Sequence, residues 1–166
     1  MYKILIIFFC VFVFNPVQGK EIIGIPKIID GDTIHIGQNK IRLEGIDSPE
    51  IQQKCNKEYL QVSFIINFSL KKKYPCGVDS KKALSSKIDK SEIKCSILSK
   101  DKYKRYLATC FKGSLNLNKW MVKNGQAVAY TRYSKKYVND EKHAKDNKLG
   151  IWKGTFLKPE KWRKLN

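Results

Sequence analysis

The residues best suited to chemistry gather between Ile28 and Glu50, in the run I-I-D-G-D-T-I-H-I-G-Q-N-K-I-R-L-E-G-I-D-S-P-E. Asp30 and Asp32 flank Gly31, and Asp47 and Glu50 flank Ser48 and Pro49. Arg42 lies between these two acidic clusters. Carboxylates this close repel one another, and a hard cation that takes oxygen ligands from Asp, Glu and backbone carbonyls relieves the repulsion. The chain has 33 Lys and Arg against 15 Asp and Glu, so acids concentrated in one stretch need such a reason. With an arginine beside them, the pattern suits a divalent metal and a phosphate. Taken singly, Asp-Gly-Asp and Asp-Ser-Pro are also ordinary turn sequences.

Short strands must position these groups. Glu21 to Ile29 alternates weakly and is interrupted by Pro26, Thr33 to Ile36 alternates around a turn at Gly31, and Lys40 to Ile46 alternates again. In the last of these, Ile41 and Leu43 take one face and Arg42 and Glu44 the other. His35 falls on the polar face of its strand, as a surface or groove residue rather than a ligand. Helical spacing of Val78, Ala83, Leu84 and Ile88 predicts a helix over 77–90. Two strands, Glu92 to Leu98 and Arg105 to Phe111, then form a hairpin. Further helices are expected over Leu115 to Asn124, stopped by Gly125, and over Tyr137 to Lys148, stopped by Gly150. Cys55 to Tyr74 reads as a short helix or a loop insertion, with an apolar patch from Val62 to Phe68, a sequon at Asn67 and a solvated lysine run, Lys71 to Lys73. Strands first, then helices packed at one end, make an α+β domain built on a small barrel.

The 166 residues suit one domain. Residues 1–19 have the form of a secretory signal peptide: Lys3, the apolar run Ile4 to Phe14, and small residues before Lys20. An uncleaved anchor is the alternative, although the run is short for a bilayer. Without residues 1–19 the chain loses one lysine and no acid, leaving a formal charge of +17. Such a charge calls for an acidic partner, with lysine-rich composition accounting for part of it. Cys55, Cys76, Cys95 and Cys110 remain, an even number in an exported chain, and three pairings are open. Zinc is the rival for these cysteines, but their spacings are wide and both histidines lie far away in sequence. Across the hairpin Cys95 would face Cys110, which leaves Cys55 with Cys76.

I-D-G-D-T, ending at Thr33, followed by R-L-E-G-I-D-S-P-E, Arg42 to Glu50, closely resembles the staphylococcal (thermonuclease-type) nuclease family. The likeness is tight again over D-K-Y-K-R-Y-L-A, Asp101 to Ala108, and looser over L-N-L-N-K-W-M-V-K-N-G-Q-A-V-A-Y and K-L-G-I-W. It fails over Cys55 to Tyr74. The resemblance implies a five-stranded OB-fold barrel with three α-helices, occupying 20–166, with an insertion near 55–75 and a basic tail near 153–166. It implies Ca²⁺-dependent hydrolysis of phosphodiester bonds in DNA and RNA; with the leader, the expectation is a secreted or periplasmic monomer.

In that family's pattern, Asp32, Asp47 and the backbone carbonyl of Ser48 match the metal ligands. Arg42 and Arg105 match the arginines on the reacting phosphate, and Glu50 the residue that positions or deprotonates water. Lys102, Tyr103 and Tyr130 resemble residues that hold the terminal phosphate and base. Lys104 stands where a glycine is common, which bears on how Arg105 is placed. A metal and two arginines neutralise charge growing on a phosphodiester, and arginine's fork binds two phosphate oxygens at once. The alternative is a catalytically inactive OB-fold module that binds nucleic acid. A cationic membrane-active protein, for which the charge alone would serve, is a second rival.

Overall fold

The computed structural model describes residues 19–62 and 68–166. The expected leader with Cys10, and Asn67 of the sequon, fall outside the described residues, as does most of the apolar patch between Val62 and Phe68. The chain opens with β1 (Glu21–Gly24) and β2 (Lys27–Ile28), then β3 (Thr33–Ile36), β4 (Asn39–Leu43) and β5 (Ile46–Asp47). A hairpin of β6 (Cys55–Val62) and β7 (Phe68–Tyr74) leads into helix α1 (Cys76–Ile88). Next come β8 (Ile93–Lys100), β9 (Tyr106–Lys112), β10 (Leu115–Asn116), α2 (Leu117–Lys123), β11 (Val128–Ala129) and α3 (Val138–Asp146). A 3-10 turn (Gly150–Lys153), β12 (Gly154–Thr155) and α4 (Pro159–Leu165) complete the chain.

The main sheet runs β1-β8-β9-β4-β3-β2, with β10 added on β9. Its two ends, β1 and β2, are successive halves of one run broken at Ile25 and Pro26. Proline has no N–H to give a ladder, so the strand changes partner there. Its first half pairs with β8 and its second with β3, and the sheet curls back on itself. This is the α+β, OB-type architecture expected. A fourth helix, α4, adds to the three anticipated.

The alternation read over Lys40 to Ile46 holds: Ile41 and Leu43 are buried while Arg42 is half-buried on the other face. Ile34, Ile46, Leu84, Leu117 and Met121 fill the barrel and its seam with the helices. Inside that seam Asn118 of α2 is fully buried, accepting from Cys110 N and donating to the Glu44 and Ala108 carbonyls. It locks α2 onto β4 and β9. The helix starts two residues later than the spacing suggests. Leu115 and Asn116 first pair with β9, and the Asn116 side chain then caps the helix by accepting from Lys119 N at 2.9 Å.

Cys95 stands opposite Cys110 in the β8–β9 ladder and is bonded to it, and Cys55 is bonded to Cys76. The second bond ties the base of the β6–β7 hairpin to the first turn of α1. Where it is described, Cys55 to Tyr74 forms two paired strands rather than a short helix or a loop. The lysines of β7 argue against a strand by propensity, but β6 is paired on both flanks, by β7 and β12, and the ladder overrides propensity. Lys71, Lys72 and Lys73 are exposed.

At the β8–β9 tip Lys104 N donates to Asp101 O, and Lys104 adopts φ +64°, the left-handed region. That conformation costs a residue with a side chain roughly 1–2 kcal/mol, partly offset because glycine loses more freedom on folding. Lys104→Gly is therefore expected to stabilise the protein by about 0.5–1 kcal/mol in urea unfolding; a loss of stability would show that the lysine side chain holds the tip.

Candidate carboxylate and arginine site

Asp32 is delivered by the turn before β3. Asp30 closes that turn, its Oδ1 accepting from Asp32 N at 2.9 Å and Thr33 N at 2.6 Å. Its carboxyl is pushed up to about 6 by burial and by the neighbouring Asp32 charge. Gly31 between them has no room for a side chain: a Cβ would meet Ser80 Oγ at 2.6 Å and Ser48 Cβ at 2.8 Å. The turn, α1 and the Ser48 segment thus close on one another.

Arg42 projects from β4, with Thr33 directly across the ladder. Its Nη1 donates to Asp32 Oδ1 at 2.6 Å and its Nη2 to Asp47 Oδ1 at 2.9 Å. Asp47 is carried by β5, opposite Val128 of β11. Asp32 is 3% exposed and Asp47 1%, so both charges have left water and depend on partners. Asp32 Oδ2 also accepts from Ser48 N at 2.8 Å. Burial raises the Asp47 pKa, Arg163 and Arg42 work against this, and the Asp32 charge adds to it. For Arg42 burial works downward first, but the two acids outweigh it and keep the guanidinium above its ordinary value.

Glu50 sits in the loop after β5, half-buried, at the N-terminal end of α1. A Cβ on Gly77 of α1 would overlap the Glu50 carbonyl, so only glycine allows that approach. Gln53, fully buried, receives the Glu50 N–H and donates to the Leu157 carbonyl at 2.8 Å. The loop bearing Glu50 is thereby tied to the chain just ahead of α4.

The residue that sequence reasoning missed is Arg163, on α4. Its Nη1 donates to Asp47 Oδ1 at 3.0 Å and to Glu50 Oε1 at 2.7 Å, and its Nη2 to Asp47 Oδ2 at 3.1 Å. A helix start was legible there, with Pro159 at its first position and Glu160 in its first turn. Nothing local pointed to where the helix would dock.

The structure thus brings Asp32, Arg42, Asp47, Ser48 and Glu50 together. Tyr130 joins them, its ring 5.9 Å from the Arg42 guanidinium carbon. Arg105, Lys102 and Tyr103 form a neighbouring group at the β8–β9 tip. Asp101 Oδ1 accepts from the backbone N–H of Tyr103 and Arg105, and its Oδ2 takes Arg105 Nε at 2.8 Å and Nη2 at 2.7 Å. Tyr103 is exposed, with Lys102 and Arg105 both against its ring. β4 and β9 run parallel, Arg42 opposite Leu107, so Arg105 lies two residues before Arg42's partner.

The donors are all oxygens, which suits a hard cation rather than zinc. Among the described residues no three His, Cys, Asp or Glu side chains gather to hold a metal. A cation here would lean on Asp32, Asp47, the Ser48 carbonyl and water, a mixed set that Ca²⁺ accepts.

With this arrangement in view, the comparisons with known proteins decide the family. Residues 40–154 match the model of the staphylococcal nuclease homologue family. The chain belongs to that family. It is 30% identical over 155 residues to an uncharacterized endonuclease of Haemophilus influenzae, covering 89% of this chain and 75% of that one. It is 33% identical over 138 residues to the succinoglycan biosynthesis protein ExoI of Rhizobium meliloti, covering 81% of this chain and 66% of the relative. The SPbeta prophage-derived endonuclease YokF of Bacillus subtilis is 31% identical over 147 residues, of which this chain spans 45% of the relative's length. The family match begins after Asp32 and ends before Arg163.

Asp101 anchors the tip of this nuclease-family barrel. Burial works to raise its pKa, but hydrogen bonds and charge from Arg105 more than offset that, and the carboxyl ends below its ordinary value. A depressed carboxylate contributes stability above its unfolded pKa and loses it as pH falls through the folded value. Asp101→Asn is expected to cost about 1 kcal/mol near pH 7, with wild type and variant converging as pH drops below about 4. Equal stability of the two at neutral pH would contradict this.

Proposed function

We propose that this nuclease-family chain is an exported, calcium-dependent phosphodiesterase that hydrolyses DNA and RNA. The observation that carries the reading is Arg42 held between two buried acids, Asp32 and Asp47, with Glu50 on the same edge. In this reading Asp32, Asp47 and the Ser48 carbonyl hold the Ca²⁺, which supplies charge neutralisation at the phosphate when bound.

The remaining work falls to the chain's own groups. Arg42 on β4 and Arg105 just ahead of the neighbouring β9 bind the phosphate oxygens and the charge that grows on them. Asp32 and Asp47 keep Arg42 in one rotamer, and Asp101 does the same for Arg105, whose Nη1 has no hydrogen-bond partner among the described residues. Glu50 accepts the proton of the attacking water. Tyr130 beside Arg42, and Tyr103 with Lys102 at the exposed tip, offer aromatic faces and a cation to the flanking nucleotide. The formal charge of +18 draws nucleic acid to the surface and makes binding salt-dependent.

Export is supported by two disulfides, which persist in oxidising compartments outside the cytosol. Among the described residues no helix is long and apolar enough to cross a membrane. A secreted or periplasmic monomer fits these features.

The test is cleavage of single-stranded DNA, duplex DNA and RNA by the disulfide-bonded protein with Ca²⁺, Mg²⁺ or a chelator. Cleavage is expected with Ca²⁺ and not with chelator, and Glu50→Gln should lower kcat by about 10²–10⁴-fold while nucleic-acid binding persists. Binding without cleavage under every metal would instead make the chain an inactive OB-fold module.

A further inference from the structure

The Asp47–Glu50 edge already holds a positive charge supplied by the far end of the chain. Arg163 takes both oxygens of Asp47 and one of Glu50. We infer that Arg163 is a tethered competitor of the divalent cation, so that docking of α4 sets the metal affinity of the site. This rests on the reading of Asp32 and Asp47 as a cation site.

Charge balance is the first argument. Asp32, Asp47 and Glu50 carry three negative charges, and Arg42 answers one. Arg163 answers a second of these three, so with Arg163 in place an incoming dication meets one uncompensated charge among them instead of two. The ion and the guanidinium would also be like charges sharing Asp47, which is almost fully buried, where repulsion is poorly screened. Arg163 docked and a dication bound therefore oppose each other.

The second argument is the way α4 is attached. It is the last element of the chain, and it follows a short connection, 156–158, after β12. β12 is held independently by its pairing with β6, Gly154 opposite Lys57 and Thr155 opposite Asn56. Apart from Arg163, the helix is held by buried Pro159, by half-buried Trp162 beside Asn56, Phe156 and Leu157, and by a largely exposed ion pair between Glu160 and Arg132. Terminal elements with so few buried contacts open at low free-energy cost, leaving the barrel intact. α4 can thus leave the acids without disturbing Arg42, Asp32 or the core.

The third argument is where Arg163 binds: both its Nη atoms are committed to acids, taking both oxygens of Asp47 and bridging to Glu50, the oxygens a cation would need. The coupling is reciprocal: whatever Arg163 takes from the cation's affinity, the cation takes from the docking of α4.

Calorimetric titration of Ca²⁺ into the full-length wild type, Arg163→Gln, Arg163→Lys and Asp47→Asn proteins tests this, together with hydrogen exchange of 159–165 with and without Ca²⁺. Ca²⁺ should bind Arg163→Gln more tightly than wild type by about 5–50-fold, with Arg163→Lys between them. In wild type, Ca²⁺ should speed exchange over 159–165. Equal Ca²⁺ affinity in wild type and Arg163→Gln, with binding lost in Asp47→Asn, would overturn the competition and leave the metal reading standing. A fall in kcat of Arg163→Gln at unchanged Ca²⁺ affinity would instead make Arg163 a substrate-binding residue. Absence of Ca²⁺ binding in every protein would overturn both readings.

Discussion

Two buried carboxylates cannot share one edge of a small barrel unless a cation stands between them, and Arg42 is that cation. It reaches Asp32 with one nitrogen and Asp47 with the other. Removing one partner of such a cluster leaves an uncompensated charge in a poorly solvated place, which is far worse than never having built it. The geometry of the edge follows from satisfying this one constraint. β3 and β4 pair so that Thr33 stands across from Arg42, and β5 is pinned to β11 so that Asp47 arrives from the other side.

The parts around the edge serve the same purpose by close packing. Gly31 lets Ser48 and α1 press onto the turn that carries Asp32, and Gly77 lets α1 press onto the backbone of Glu50. The Cys55–Cys76 bond fixes the start of α1 beside the loop it supports. The β6–β7 hairpin braces the site through that bond and through β12. Gln53 then links the Glu50 loop to the approach of α4. The acids, α1 and the Glu50 loop form one packed unit, and α4, from the opposite end of the chain, docks on it through Arg163.

Much of this was legible in the residues alone. Alternation over Lys40 to Ile46 put Arg42 on the face away from Ile41 and Leu43, because side chains of a strand take opposite faces whatever its neighbours. The Cys95–Cys110 bond followed from hairpin symmetry for the same local reason. The Lys104 position was suspect because the family resemblance puts a glycine there, and its φ of +64° is the conformation that a side chain disfavours. Each of these is decided within a few residues or across one turn.

The pieces that escaped are those that depend on distant partners. β7 reads poorly as a strand because its lysines are weak strand formers, and only pairing with β6 makes it one. Arg163 looks like any basic residue of a tail until α4 folds back across 113 positions to Glu50. By itself the sequence determined the two acidic clusters with Arg42 between them, the strand that bears Arg42 and the cysteine partners, since spacing and local periodicity govern those, while Arg105 came from the family resemblance. Tertiary structure alone decided which charges meet, because an ion pair depends on distance in space, and chain order does not record it.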